Sequence, residues 1–406
     1  MLLYKNAAIP KKNLTEINFY FIYALVSRMV FFYSIIVIFF LEFGLSFTAI
    51  MILSSVESIA SMLFEIPSGM FADFFGRKKT VIIGTIISVA GVAAYVIHPS
   101  FALFVIAELL LSIGSSCISG TASSLSYSKF KSCGCEEHFH DFQSFAASKV
   151  ILVGAFVSIF STIFFDYNVF LPFVLSCTTL LIAILFLLKV GEEKGEELNQ
   201  YEGGILKTVA EYFKTSIKDV LNNKSLLDLI LLNSLFGAAM ASVLYVSNAY
   251  LRDLGMNFSI MGFYLFLGGL VASFFAKRSK LIYDKLKERI FAVLLLTLAV
   301  IVALLSIQNL IIVAVLFILT RSINGIISPI FSTNMNRVTS DNNRATVLSM
   351  ASFVQSAVFI AVDPVIGMLI DRQGMSTSYL ILGVFLFAIA IIYTIVSVRK
   401  RKKELY

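Results

Sequence analysis

The chain has 406 residues, of which 58% are hydrophobic and 14% charged, with a mean hydropathy of +0.90 and a formal net charge of +7. A soluble domain carries about a quarter charged residues, so this composition excludes an ordinary soluble fold and, with it, the nucleic-acid partner that a basic balance would otherwise suggest. Trp is absent, which leaves Tyr to supply any interfacial aromatic belt. The four cysteines, Cys117, Cys133, Cys135 and Cys177, form no evenly spaced disulfide framework.

A helix needs about 20 apolar residues to cross the hydrocarbon core. Taken in chain order, the apolar runs predict spans over 16–40, 47–72, 80–97, 101–126, 145–165 and 169–190, then 225–250, 258–276, 290–307, 309–334, 345–370 and 377–398. The first run is too long for a signal-peptide core and reads as a retained span. Spans three and nine are short. The longest polar segment, 191–224, divides the spans six and six, so the predicted organisation is an N-terminal bundle over 1–190, a central loop, and a C-terminal bundle over 225–406.

The basic residues fix the orientation. Arg28, Lys149, Lys189 and Arg321 fall within the spans as bounded, and only Arg252 and Arg372 fall in the odd-to-even set of loops opposite the termini. Every other Lys and Arg lies in the tails, the central loop, or the 2–3, 4–5, 8–9 and 10–11 loops. By the positive-inside rule both termini and the central loop are cytoplasmic, in a multi-pass protein of a cytoplasmic membrane.

Between spans two and three stands Pro67-Ser68-Gly69-Met70-Phe71-Ala72-Asp73-Phe74-Phe75-Gly76-Arg77-Lys78-Lys79, preceded by Phe64-Glu65-Ile66. Gly69 allows close helix approach, Asp73 can face positive groups or a helix N-terminus, and Gly76 permits a tight turn. Arg77, Lys78 and Lys79 are placed to meet anionic headgroups. The run resembles the G-x-x-x-D-R/K-x-G-R/K-R/K loop of the major facilitator superfamily, in the variant seen in its bacterial drug and metabolite exporters. The resemblance implies an all-α membrane protein of twelve helices in two pseudo-symmetric six-helix bundles, with Asp73 latching the outward-facing state. Glu65 is expected to be structural or gating. Phe74 departs from the family's basic residue, and span five, with Gly154 and no proline, departs from the drug/proton antiporter branch. A degenerate second copy of the loop surrounds Asp284, as duplicated halves would leave. A third similar run, Gly367-Met368-Leu369-Ile370-Asp371-Arg372-Gln373-Gly374, falls on the opposite face and is expected to have no latch role.

Ionisable groups at bilayer depth are costly and mark pathways. In the N-terminal half these are Arg28, Glu57 and Glu108, and in the C-terminal half Arg321 and Asp363. Each arginine has acids within vertical reach, so pairing would offset desolvation. Polar stripes accompany them at helical spacing: Ser54, Glu57, Ser58, Ser61, Glu65 and Ser68 in span two; Glu108, Ser112, Ser115 and Ser119 in span four. Arg321, Asn324 and Ser328 continue the pattern in span ten, as do Ser349, Ser352, Ser356 and Asp363 in span eleven. The blander reading is static ion pairs and small residues at helix interfaces.

Together these features predict a secondary transporter that moves a small amphipathic molecule by alternating access. Proton-coupled export is the leading reading, with Glu57 and Glu108 as proton carriers. Uptake or exchange of an organic anion held by Arg28 and Arg321 is an alternative, and a transport-dead receptor or assembly factor another. No Walker loop is present and the three histidines offer no nucleophile–base set, so neither an ATP-driven pump nor an enzyme is expected. No cofactor is expected, and a monomer is. Cys133, Cys135, His138 and His140 could bind a metal, but their spacing is unlike zinc motifs, and free thiols on a solvated loop are the default.

Overall fold

Lipid offers no partner for backbone N–H and C=O groups, so apolar spans fold as helices that pair them internally. The computed structural model describes residues 3–6, 9–191, 224–287, 289–338 and 344–404, and these are almost wholly helical. The first half carries α1 (Lys11–Val26), α2 (Ile36–Glu42), α3 (Phe47–Phe75), α4 (Arg77–Ile97), α5 (Phe101–Lys131), α6 (Phe139–Tyr167) and α7 (Leu171–Leu188). The second carries α8 (Lys224–Tyr245), α9 (Ser247–Asp253), α10 (Phe258–Leu286), α11 (Arg289–Leu304), α12 (Leu310–Val338) and α13 (Arg344–Glu404). Beyond Gly191 and before Lys224 the central loop lies outside the described residues.

Twelve crossings are recovered from these elements. Among the described residues, nine helical stretches are long and apolar enough to span. One of them, Met350–Val396, has 47 residues, about 70 Å at ~1.5 Å per residue, and so carries two crossings. Gly374 separates them, with φ +76° inside the otherwise helical α13. The ninth crossing is α11, with 16 residues. The first is not one helix but two, α1 and α2, with non-helical backbone between Val26 and Ile36. The seventh is also interrupted, at Val246 between α8 and α9.

The chain divides into two compact units. The first comprises Met1–Phe39 and Leu53–Thr215, the second Phe40–Ile52 and Ser216–Tyr406. In the first, α4 packs along α5 and α7. Small residues set the α4–α5 distance: a Cβ added at Gly114 would lie 2.6 Å from the Gly84 carbonyl oxygen, and one at Gly84 would lie 2.8 Å from the Gly114 oxygen. An aromatic core of Phe32, Phe39, Tyr95, Phe104 and Phe173 fills the unit, Phe39 and Phe173 standing 4.3 Å apart between ring centres. The N-terminal segment is tied down, with the Tyr4 N–H donating to Asn18 Oδ1 (3.0 Å) and Asn18 Nδ2 donating to the Tyr4 oxygen (3.1 Å). In the second unit α10 packs on α12 and α11 on α13. Large apolar side chains such as Ile151, Leu185, Phe385 and Ile392 stay exposed, as a surface meeting acyl chains permits.

Candidate functional site

The break in the first crossing lies at Ser27–Ile35, within Ser-Arg-Met-Val-Phe-Phe-Tyr-Ser-Ile, a run without Gly or Pro. Its freed backbone groups are satisfied by hydroxyls from two other helices, as backbone at this depth requires. Ser176 of α7 accepts from the Phe31 N–H at 2.8 Å, Ser161 of α6 donates to the Phe31 carbonyl, and Thr179 of α7 donates to the Met29 carbonyl at 2.8 Å. Phe31, Phe32 and Ile35 turn into the core. Arg28 and Tyr33 stay exposed, Tyr33 at 60%.

Around this break the first unit gathers its charged groups. Tyr33 lies within electrostatic reach of Glu57, Glu108 and Arg28 together. Tyr20 and Tyr23 also feel Arg28, and the Tyr23 hydroxyl stands 3.3 Å from that of Thr85. Glu108 is 6% exposed on α5, facing Glu57 and the Tyr95 hydroxyl. Glu57 on α3 is exposed, and its backbone carbonyl accepts the Ser112 hydroxyl of α5 at 3.1 Å, which fixes the two polar stripes against each other. Ser115 and Ser119 are exposed farther along α5.

The expected arginine–carboxylate pairing takes another form. The described ion pairs are Glu16–Lys129, Glu137–His138 and Glu42–Arg252, and neither Arg28 nor Arg321 belongs to them. In the first unit a phenol, Tyr33, shares the space of the charges. The tyrosines were missed in the sequence because Tyr in a span reads as an interfacial anchor. The nearest signal was the recurrence of hydroxyl residues in spans five and six, at Ser158, Ser161, Ser176 and Thr179.

The second unit has its own polar set. Arg321 on α12 is half-buried, and its Nε has no hydrogen-bond partner among the described residues. Its Cδ lies where a Cβ at Gly268 of α10 would come within 3.2 Å, and Tyr264, one turn earlier on α10, is within electrostatic reach. Asn324 is exposed one turn beyond. Asp363 is 4% exposed and accepts the Ser242 hydroxyl of α8 at 2.6 Å, immediately before Pro364. Gln355 sits against Gly237, where a Cβ would meet its Nε2 at 2.6 Å.

The 2–3 loop motif is a sharp joint between α3 and α4. Gly76 has φ +87°, a left-handed conformation that favours glycine, and its carbonyl accepts the Thr80 hydroxyl at 3.0 Å. Arg77 is half-buried. Lys78, expected to reach headgroups, instead donates to the Leu188 carbonyl at 2.9 Å, at the C-terminal end of α7, where a cation meets unpaired carbonyls and the negative end of the helix dipole. Glu65 is exposed on α3. Gly69 and Asp73 lie in the last turns of α3, but the latch expected of Asp73 rests on a side chain outside the described residues. In the 4–5 loop, Cys133 Sγ turns back on the Lys129 and Phe130 carbonyls, and Cys135 Sγ on the Cys133 carbonyl. Among the described residues no three His, Cys, Asp or Glu side chains are grouped to hold a metal ion.

Comparison with known proteins agrees with this architecture. Residues 19–362 match the family model of the Major Facilitator Superfamily. The chain is 24% identical over 371 residues to an uncharacterized MFS-type transporter, YxaM, of Bacillus subtilis (strain 168), covering 86% of this chain and 88% of that one. Among solved structures it resembles the nucleoside transporter NupG, with a TM-score of 0.74 and 13% identity over 95% of this chain and 98% of the other. It also resembles a POT family transporter in complex with 5-aminolevulinic acid, with a TM-score of 0.70 and 15% identity over 97% and 99% of the two chains. A D-xylose–proton symporter matches with a TM-score of 0.64 and 15% identity over 93% and 95%. At these identities the structural likeness speaks for the fold alone.

Proposed function

This chain belongs to the Major Facilitator Superfamily, and from that premise we propose that it exports a small amphipathic molecule across the cytoplasmic membrane, driven by protons. The observation that carries this reading is that Tyr33, at a helix break, lies within electrostatic reach of Arg28, Glu57 and Glu108. A carboxylate that moves between a charged partner and an apolar surround takes up a proton in one setting and yields it in the other. Glu108, buried on α5 behind the exposed Glu57, is suited to carry that proton, while Arg28 and Tyr33 meet the cargo. In the second unit Arg321, Asn324 and Asp363 complete the polar pathway, and Glu65, Gly69, Asp73, Gly76, Arg77 and Lys78 gate it from the cytoplasmic side. The chain works as a monomer in the bilayer, with both termini in the cytoplasm.

Uptake or exchange of an organic anion is the second reading, favoured by the two arginines that stand outside the described ion pairs. One experiment separates them. Cells with and without the protein are screened for accumulated metabolites and drugs, with and without an uncoupler. The cargo found is then followed in proteoliposomes for the parent and Glu108→Gln. Abolished proton-driven flux with retained expression and cargo binding supports the first reading, while flux that ignores both the uncoupler and the substitution overturns it.

A further inference from the structure

Asp371, expected from its topology to have no latch role, caps a helix. Its carboxylate accepts three hydrogen bonds from the start of α3: the Phe47 N–H at 2.9 Å, the Thr48 N–H at 2.8 Å and the Thr48 hydroxyl at 2.5 Å. An α-helix leaves these first N–H groups without an internal acceptor, and a carboxylate there also meets the positive end of the helix dipole.

Two glycines make the approach possible. A Cβ at Gly367, one turn before Asp371, would stand 2.7 Å from both the Phe47 carbonyl oxygen and Thr48 Cα. Gly374, with φ +76°, ends the helical turn just past the aspartate. Gly367, Asp371 and Gly374 thus repeat the G-x-x-x-D-x-x-G spacing of Gly69, Asp73 and Gly76 in the 2–3 loop, at the face where the basic-residue count puts the opposite side of the membrane.

The helix being capped is itself divided. Phe47–Ile52 group with the second unit and Leu53–Phe75, which carries Glu57, with the first. Holding the first turn of α3 therefore fixes that turn within the second unit. A second tie serves the same segment: Arg252 Nη1 of α9 stands 2.6 Å from Glu42 at the end of α2. Arg252 and Arg372 are the two basic residues that the topology assigns to this face. One engages the Phe40–Ile52 segment directly, and the other follows the aspartate that does.

We propose that Asp371, Thr48 and Gly367 form an outer latch, which holds the first turn of α3 in one state of the cycle and must release it for the site to open away from the cytoplasm. This rests on the alternating-access reading above, but its test needs no substrate. Ser54→Cys, half-buried on the polar stripe of α3, is introduced into the full-length protein. Its labelling by a membrane-impermeant maleimide added outside right-side-out vesicles is followed, with the same protein lacking Ser54→Cys as the blank. Asp371→Asn and Thr48→Val should each speed labelling, by about tenfold for the loss of one charge-assisted hydrogen bond. Thr48→Val removes a single hydroxyl, so it keeps the test readable should Asp371→Asn fold poorly. Equal labelling rates in the parent and in folded, monodisperse variants would overturn the latch. Faster labelling without any detectable cargo flux would leave the latch standing and count against the transport reading alone.

Discussion

The Lys129 ammonium lies 3.0 Å from the Glu16 carboxylate, with the two side chains 6% and 21% exposed. Counted in the sequence as one of the basic residues that set orientation, Lys129 is a structural partner as well. The Glu16 carboxylate also accepts the Gly191 N–H at 3.1 Å, so one ion pair ties α1 to the end of α5 and to the chain leaving α7. Removing one member of a buried pair strands the other, at a cost of about 3–5 kcal/mol when both are enclosed. Glu16 keeps some water, so Lys129→Met should cost about 2 kcal/mol. The check is the melting temperature in detergent, where Lys129→Met should melt several degrees lower and the double variant Glu16→Gln/Lys129→Met should recover part of the loss. A single variant that melts with the parent would show the pair to be idle.

The crossings were legible because a span announces itself by about 20 apolar residues and little else. Hydropathy counts burial, however, and not where backbone bonds go. The break at Ser27–Ile35 is as apolar as a helix and holds no Gly or Pro. What stabilises it are hydroxyls more than a hundred residues away, on α6 and α7. The stripe holding Glu57 and the depth of Arg28 and Glu108 could be read from spacing. That Tyr33 stands among all three, and that Tyr95 is wholly buried beside Glu108, could not, because side-chain direction at a break follows no helical period. The Gly367–Gly374 run was visible as a motif and was set aside on topology, since sequence alone does not reveal which helix end an aspartate will meet.

Two glycines of the first unit should respond in opposite ways. Gly114→Ala places a Cβ 2.6 Å from the Gly84 carbonyl and forces α4 and α5 apart, an overpacking cost of about 1–3 kcal/mol. Gly154, inside α6, has nothing within 4 Å of the Cβ position. There Ala should gain about 0.5–1 kcal/mol from reduced backbone freedom. Thermal melts of the two variants side by side check the contrast, and equal shifts would contradict the close approach.

Cys133 carries a pH prediction. Burial, reinforced by the neighbouring Cys135, pushes its thiol up to about 11. The thiolate, not the thiol, is the nucleophile. At pH 8 an ordinary cysteine is roughly a quarter thiolate, whereas Cys133 should be ionised on the order of one part in a thousand. Alkylation by iodoacetamide, located by peptide mass spectrometry, should be about two orders of magnitude slower than for a free thiol at pH 8. It should climb close to tenfold per pH unit up to pH 10. A rate that levels off by pH 9 would mean that the thiol is not held in this way.

The hydroxyls that hold the break should separate stability from recognition. Ser176→Ala leaves the Phe31 N–H without its acceptor in the interior of the first unit, which costs about 1–3 kcal/mol. Thr179→Val leaves the Met29 carbonyl short of one donor, and an under-satisfied carbonyl is better tolerated than an orphaned N–H, so its cost should be smaller. Arg28 and Tyr33 ride on the same non-helical segment, so both variants should also weaken apparent affinity for the cargo more than they lower the maximal rate. Melting temperature and concentration-dependent flux, measured on one preparation, give both readouts. A drop in melting temperature with unchanged affinity would make Ser27–Ile35 a structural joint that takes no part in recognition.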